Sequence, residues 1–334
     1  MRRSFHPTPI MTAHNPISQT SVQSETTGQF ILRPPVAEDA AAIVELMNGC
    51  YIALGDAPVM SVEELRRDWI GLELNEGALL AQSDEGEVIG YADIFNRGFV
   101  QTNVYAFAAP GPQQSVVFAR LVAWGEAWVA ARKPTNPALP PTEMHYFRRD
   151  VDADSIRLLE AAGYRYIRTH YVMAAELTEP PPAPLWPDGI SVRAYRPGLD
   201  DDDLFLGGEE SFQDMWNRPP STKERWLEPL QADDFDPTLW FLPYDSRTGE
   251  VAGVCLCSIL PGAGEVDTLG IRRPWRRQGL GLALLQHAFA EFWRRGIRTV
   301  RLSVDASSPT GAPRLYERAG FRVEKRYSRY VKRV

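Results

Sequence analysis

Residues 267–281 have the residue types and the spacing of a phosphate-binding loop. The chain reads Asp267-Thr268-Leu269-Gly270-Ile271, and after four residues continues Arg276-Arg277-Gln278-Gly279-Leu280-Gly281 before an amphipathic stretch. Paired glycines let the backbone approach a ligand, and the N–H groups at a helix N-terminus attract phosphate oxygens. The segment therefore predicts a diphosphate site. It is neither a Walker loop nor the Rossmann pattern of three glycines behind the first strand.

The elements that position this loop can be inferred from the spacing of apolar residues. Residues 249–253 form a predicted hairpin turn, followed by strands at 254–260 and 265–271. Apolar residues recur at helical spacing between Gly281 and Arg295, and Gly296 ends that helix. A strand at 300–305, a short helix ending at Gly320 and a last strand complete the order. This order predicts an α/β domain with a mixed sheet.

The chain also repeats itself, which indicates duplication of one domain. Four pairs of landmarks return in the same order after about 160 residues. They are Leu32-Arg33 with Val192-Arg193, Ser61 and Glu64 with Ser221 and Glu224, residues 86–90 with 249–253, and residues 158–164 with 315–321. We expect a disordered leader at 1–29, a first domain at 30–178, a proline-rich linker at 179–189 and a second domain at 190–334.

The loop and one further motif resemble a known family. Residues 276–281 are similar to the Arg/Gln-x-x-Gly-x-Gly/Ala signature of the GNAT (Gcn5-related N-acetyltransferase) superfamily, and residues 315–321 resemble its closing Leu-Tyr-x-x-x-Gly-Phe motif. The match covers residues 191–334. The tandem arrangement further resembles proteins built like mycothiol synthase. The resemblance implies two tandem GNAT-like domains of mixed α/β fold, with acetyl-CoA as the acyl donor.

The resemblance assigns roles to particular residues. Leu269, Gly270 and Ile271 would pair by backbone with the pantetheine arm, while Arg276, Arg277, Gln278, Gly279, Leu280 and Gly281 would wrap the pyrophosphate. Ser308 stands where related sequences place an asparagine that contacts the cofactor. Tyr316 would protonate the departing thiolate, although its spacing also suits a core aromatic. Glu265 is the candidate base, with Asp267 two residues on along the same expected strand face; both also suit a solvated strand end.

The first half lacks these groups. Its equivalent strand and helix, at residues 104–118, have neither the paired glycines nor the arginine before them, and Leu159 stands where the second half has Tyr316. We expect the first domain to keep the fold, to have lost standard coenzyme A binding, and to shape the substrate cleft.

Composition limits the remaining possibilities. The 334 residues are 44% apolar and 24% charged, with a net charge of −7, which disfavours nucleic acid and anionic membranes as partners. Three cysteines do not make a disulfide framework, the histidines lack metal-ligand spacing, and no apolar run is long enough to span a membrane. Without a signal peptide, a cytoplasmic location is expected.

The resemblance thus implies an acetyl-CoA-dependent N-acetyltransferase that moves an acetyl group directly to a primary amine, with no metal. The acceptor would be a small molecule or a peptide, and the protein a monomer or homodimer. The alternative is a catalytically silent acyl-CoA-binding or scaffolding protein.

Overall fold

The computed structural model describes residues 25–26, 30–97, 101–133, 141–216, 218, 221–232 and 234–334. They form two compact units: the first combines residues up to Arg168 with Tyr327–Val334, and the second is Thr169–Arg326. Each is a mixed α/β unit, which confirms the predicted fold class. Most of the expected leader lies outside the described residues.

The boundaries differ from those expected from the prolines, because each unit takes strand residues from the other half of the sequence. Strand β7 (Arg165–Glu176) pairs from His170 onward with β12 (Thr299–Asp305) of the second unit. Strand β13 (Arg322–Arg333) pairs from Tyr327 onward with β6 (Glu143–Arg149) of the first unit. The hydrogen bonds between strands determine which residues belong to each unit. The proline-rich residues 179–188 contain no helix or strand, but the division between the units does not fall there.

The first unit has one sheet in the order β1-β2-β3-β4-β5-β6-β13. Its other elements are β1 (Glu25–Thr26), β2 (Phe30–Arg33), α1 (Ala40–Ala53), α2 (Val62–Asp68), α3 (Leu74–Gly77), β3 (Ala78–Ser83), β4 (Val88–Arg97), β5 (Gln101–Ala108), α4 (Gln114–Arg132) and α5 (Ala153–Ala161). Within the sheet, β5 and β6 are parallel and the other named pairs are antiparallel.

The second unit repeats the pattern with the sheet order β7-β12-β11-β10-β9-β8. Its elements are β8 (Ile190–Ala194), α6 (Asp201–Ser211), α7 (Lys223–Leu227), β9 (Trp240–Asp245), β10 (Gly253–Leu260), β11 (Ala263–Ile271), α8 (Leu280–Arg294) and α9 (Ala312–Arg318). The strands and the long helix lie within about two residues of their predicted ends, as is usual for such boundaries.

Matching details in the two units support duplication. Arg33 forms a bidentate pair with Asp39 in the first unit, and Arg193 pairs in the same way with Asp200 in the second. Ser61 and Glu64 form the predicted capping box at α2. The equivalent box does not form at α7, because Thr222 rather than Ser221 caps that helix. The cap is therefore one residue further along than the repeat predicts.

Helix α8 packs on the strands that lead to the loop. Its buried residues Leu284, Leu285, Ala288, Phe289 and Phe292 belong to one core with residues of β10, β11 and β12. Gly264 leaves room for the Phe292 ring, since a Cβ there would lie 2.6 Å from it. The face predicted to be apolar is thus the face that fixes the helix against the sheet.

Candidate active site

Strand β11 leaves part of its backbone unpaired beside β12. The two parallel strands pair only at Gly264 with Val300 and at Glu265 with Arg301, and then diverge. The Arg272 N–H donates to the Ala252 carbonyl at 2.9 Å, and because backbone polar groups alternate in direction along a strand, those of Leu269 and Ile271 face away from β10, toward the gap. The Ile271 carbonyl accepts from the Arg276 Nε at 2.8 Å, which leaves the Leu269 groups open. The structure thus opens one edge of β11 where the resemblance implies a pantetheine arm.

The loop after β11 contains two left-handed residues just before helix α8. Arg277 is the one non-glycine among the described residues with a positive φ, 61°, and Gly279, the N-cap of α8, has φ 89°. The Gly279 carbonyl accepts from Leu282 and Ala283, both at 3.1 Å. The earlier amides, at residues 277–281, have no backbone acceptor outside the helix among the described residues. Two left-handed residues and a helix N-terminus make an anion-binding concavity.

Two of the predicted loop residues use their side chains to support the turn or the core. The exposed Gln278 amide donates to the Pro274 carbonyl at 3.0 Å. Leu280 is 1% exposed in the core. These two residues can therefore serve a phosphate group through their backbone N–H groups, whereas the Arg277 side chain is exposed to solvent.

Arg276 supports the loop from behind. Its Nε donates to the Ile271 carbonyl at 2.8 Å, its Nη2 to the Ser211 carbonyl at 3.0 Å, and its Nη1 to Asp214 at 2.6 Å. Asp214 also pairs with Arg273, and the two guanidinium groups hold the pKa of this carboxyl well below its usual range. Asp214 and Ser211 were missed from sequence, because they lie some sixty residues earlier in a segment without a motif.

The two predicted glycines Gly270 and Gly281 permit close packing. A Cβ at Gly270 would lie 2.6 Å from the Ser211 Cβ, so the end of α6 rests on β11 there. A Cβ at Gly281 would lie 3.0 Å from Leu315 Cδ2. Gly281 therefore lets α8 and α9 approach, and α9 carries Tyr316.

Tyr316 is a buried phenol with an uncommitted hydroxyl. It is 7% exposed, its ring meets Phe321 edge-on at 5.9 Å between centroids, and its hydroxyl has no hydrogen-bond partner among the described residues. Burial, and then the neighbouring Cys255 thiol, raise the pKa of Tyr316 well above its usual value. The phenol is protonated at neutral pH and can donate its proton.

The two candidate carboxylates differ in their surroundings. Glu265 is 4% exposed, whereas Asp267 is exposed. The register between β10 and β11 shifts by one residue at Leu256/Cys257, opposite Asp267. This bulge breaks the two-residue alternation, so the expectation from spacing that both carboxylates share a strand face does not hold. Both charges nevertheless act on Cys257, where they add to burial in raising its pKa.

Ser308 lies in the loop between β12 and α9, half-buried, with its Oγ 3.0 Å from the Thr310 hydroxyl. The described part of the chain contains no group of three or more His, Cys, Asp or Glu residues that could hold a metal ion. Nor does any helix described there have the length and apolar character needed to cross a membrane.

The comparisons with known proteins agree with this fold. The model of the acetyltransferase (GNAT) family matches residues 206–321. A solved GCN5-related N-acetyltransferase from Sphaerobacter thermophilus is 43% identical over 92% of this chain and 97% of its own, with a TM-score of 0.84. A tandem GNAT protein from the clavulanic acid biosynthesis pathway, 15% identical with a TM-score of 0.67, shares the fold.

Several curated relatives are named mycothiol acetyltransferase. That of Thermobispora bispora is 33% identical over 49% of this chain and 57% of its own length, and that of Geodermatophilus obscurus is 28% identical over 84% and 90%. The chain spans little more than half the length of the first of these. Fold and loop together define a protein with tandem GNAT-like units. The chain belongs to the GNAT (GCN5-related N-acetyltransferase) family.

Proposed function

We propose that this protein is an acetyl-CoA-dependent N-acetyltransferase whose site lies in the second unit. The observation that carries the proposal is the pair of left-handed residues Arg277 and Gly279 at the start of α8, beside the open edge of β11. The amides of residues 277–281 have no backbone acceptor outside the helix in the described part of the chain. A diphosphate suits the amides, and an amide-bearing arm suits the strand edge. Acetyl-CoA combines both features in one molecule.

The residues of this site fit a direct transfer. Bound acetyl-CoA supplies an acetyl group activated as a thioester. The Leu269 backbone orients the pantetheine arm, and Tyr316 holds a proton for the sulfur atom as the carbon–sulfur bond breaks. The amine that attacks must lose a proton, for which Glu265 and Asp267 are the carboxylate candidates, directly or through water. Ser308 stands in the loop between β12 and α9 where related sequences have an asparagine that contacts the cofactor. Its hydroxyl would make that contact in place of the asparagine side chain.

The proposal is tested by following release of the coenzyme A thiol from acetyl-CoA across a panel of primary amines and peptides. We expect thiol release that depends on both the enzyme and the amine. Gly279→Val should abolish acetyl-CoA binding, since a β-branched side chain is strained at a φ of 89°. Binding without transfer to any amine would instead favour a silent acyl-CoA-binding protein.

The acceptor is proposed as a small-molecule or peptide amine. The name of the curated relatives makes mycothiol and its amine precursors the first compounds to add to the panel. The net charge of −7 is compatible with a cationic acceptor. A cytoplasmic location and a monomeric or homodimeric state remain predictions.

A further inference from the structure

The first unit has a gap in its sheet equivalent to the cofactor gap of the second. Strands β5 and β6 are parallel and pair from Gln101 with Glu143 to Asn103 with His145, and then diverge. The antiparallel registers also match, because Gly90 faces Ala108 as Gly253 faces Ile271. Counting back along the strands, Ala106 stands in the position of Leu269.

In this gap the chain satisfies its own backbone. Arg148 of β6, which is 8% exposed, donates from Nη2 to the Ala106 carbonyl at 2.7 Å and from Nη1 to the Phe147 carbonyl at 3.1 Å. Its guanidinium carbon lies 4.9 Å from the centre of the Phe118 ring, on the helix equivalent to α8. The carbonyl equivalent to that of Leu269 therefore already has a cationic donor, held against an aromatic face.

A second side chain occupies the next position. The Cys50 thiol of α1 donates to the Ala108 carbonyl at 3.3 Å. Burial raises the pKa of Cys50 to about 11, so the thiol keeps its proton at neutral pH. Ala106 and Ala108 are the equivalents of Leu269 and Ile271. The Ile271 carbonyl likewise has a donor in its own unit, the Arg276 Nε at 2.8 Å, so the two units differ at the Ala106 and Leu269 carbonyls.

The second unit has no cation at the equivalent position. Arg148 pairs with Ser328 and Val304 pairs with Tyr171, and the repeat of 157 residues matches Tyr171 with Ser328, so Val304 stands in the place of Arg148. A valine side chain has no donor for the Leu269 carbonyl. The difference between an arginine and a valine accompanies the difference between a filled and an open gap.

We propose that Arg148 is a built-in plug that closes the former cofactor cleft of the first unit, so that each chain binds acetyl-CoA in the second unit alone. The guanidinium group takes the place of the pantetheine arm on the strand edge. The identity of the excluded ligand rests on the proposed function, whereas the closed gap does not.

The first test counts bound acetyl-CoA on the full-length chain by native mass spectrometry. We expect one molecule per wild-type chain and none on Gly279→Val. Two molecules per chain, or one retained on Gly279→Val, would overturn the inference. No binding to the wild type would contradict the proposed function instead. The role of Arg148 would then be tested by the melting temperature of its variants.

Stability tests the plug without any ligand. Arg148→Ala leaves the Ala106 carbonyl unpaired in a buried site, and its Tm should fall by roughly 5–10 °C. Arg157→Ala is the matched control, because that arginine is exposed and, among the residues the structure describes, its one ion-pair partner is the exposed Asp154 on the same helix. A Tm of Arg148→Ala equal to that of the control would contradict the proposed role of Arg148. If Arg148→Ala does not fold, Arg148→Lys, with a shorter reach, should show a smaller fall.

The last test moves the plug into the second unit. Val304→Arg should weaken acetyl-CoA binding at least about tenfold, since an arginine at the position that matches Arg148 can reach the Leu269 carbonyl. Val304→Met is the control, because methionine is also long but has no N–H donor, and it should change affinity by less than about threefold. Equal affinities of the two variants would contradict the proposal.

Discussion

At the scale of single residues, the loop motif predicts backbone behaviour better than side-chain behaviour. The glycine pattern predicts where the chain must turn, and Gly279 does adopt the left-handed region. Arg276, by contrast, points at Ile271, Ser211 and Asp214 rather than into the amide concavity. A local motif could not reveal this, because two of these partners lie far away in sequence.

Tyr316→Phe should lower kcat by about 100-fold or more and leave the Kd for acetyl-CoA unchanged, because only the proton donor is lost. Since the pKa of Tyr316 is raised, its ionisation should not reduce the wild-type rate at any pH below about 10. Steady-state kinetics over a pH range and direct binding measure both effects. An undiminished kcat would rule out the role of Tyr316 as the acid.

Arg276→Lys should weaken acetyl-CoA binding by roughly tenfold, because the single nitrogen of an ammonium group cannot reach three acceptors that Arg276 serves with three separate nitrogens. Asp214→Asn should act in the same direction but less. Calorimetric binding is the measurement, with Arg294→Lys as the control, since Arg294 is an exposed partner of Glu291 within α8. The same Kd for Arg276→Lys and the control would show that Arg276 does not position the loop.

At the scale of elements, the site depends on how closely two helices meet. Gly281 belongs to the loop motif in sequence, yet in space it is the contact between α8 and Leu315 of α9. The periodicity of apolar residues predicts both helices, but their spacing follows from tertiary packing. The bulge opposite Asp267 likewise has no sequence signal, which is why the two carboxylates could not be placed on their strand faces from spacing.

Gly281→Val should weaken acetyl-CoA binding, and adding Leu315→Ala should restore part of the loss, because the shorter side chain makes room for the new methyl groups. Gly279→Ala gives the contrast. Nothing lies within 4 Å of its Cβ position, so its defect comes from backbone conformation and Leu315→Ala should not relieve it. A double-mutant cycle of binding free energies compares the two pairs.

At the scale of the whole molecule, the two units are compact but not continuous in sequence. The internal repeat predicts two copies of one fold. It cannot predict that each sheet is completed by residues from the other half, since a strand segment carries no mark of its partner. The first half of the sequence lacks one strand of its own sheet, so a binding assay on that fragment would not test the intact unit. Binding is therefore measured on the full chain.

Deleting residues 327–334 should destabilise the first unit selectively, because β6 loses its partner along Tyr327–Arg333 and the core loses Tyr330. Limited proteolysis should then cut the first unit faster, while residues of the second remain protected. Tyr330→Ala should act in the same direction and less strongly. Equal loss of protection in both units would contradict this division.

The strand at the end of the chain also reverses the order in which the units can be completed during synthesis. A domain at the N-terminus usually folds while the ribosome is still translating the rest. Here the second unit has all its strands once Arg326 has left the ribosome, whereas the first waits for Tyr327–Arg333. The half that is made first therefore finishes folding last. Until residues 327–333 have been synthesised, the edge of β6 with which they pair has no partner strand.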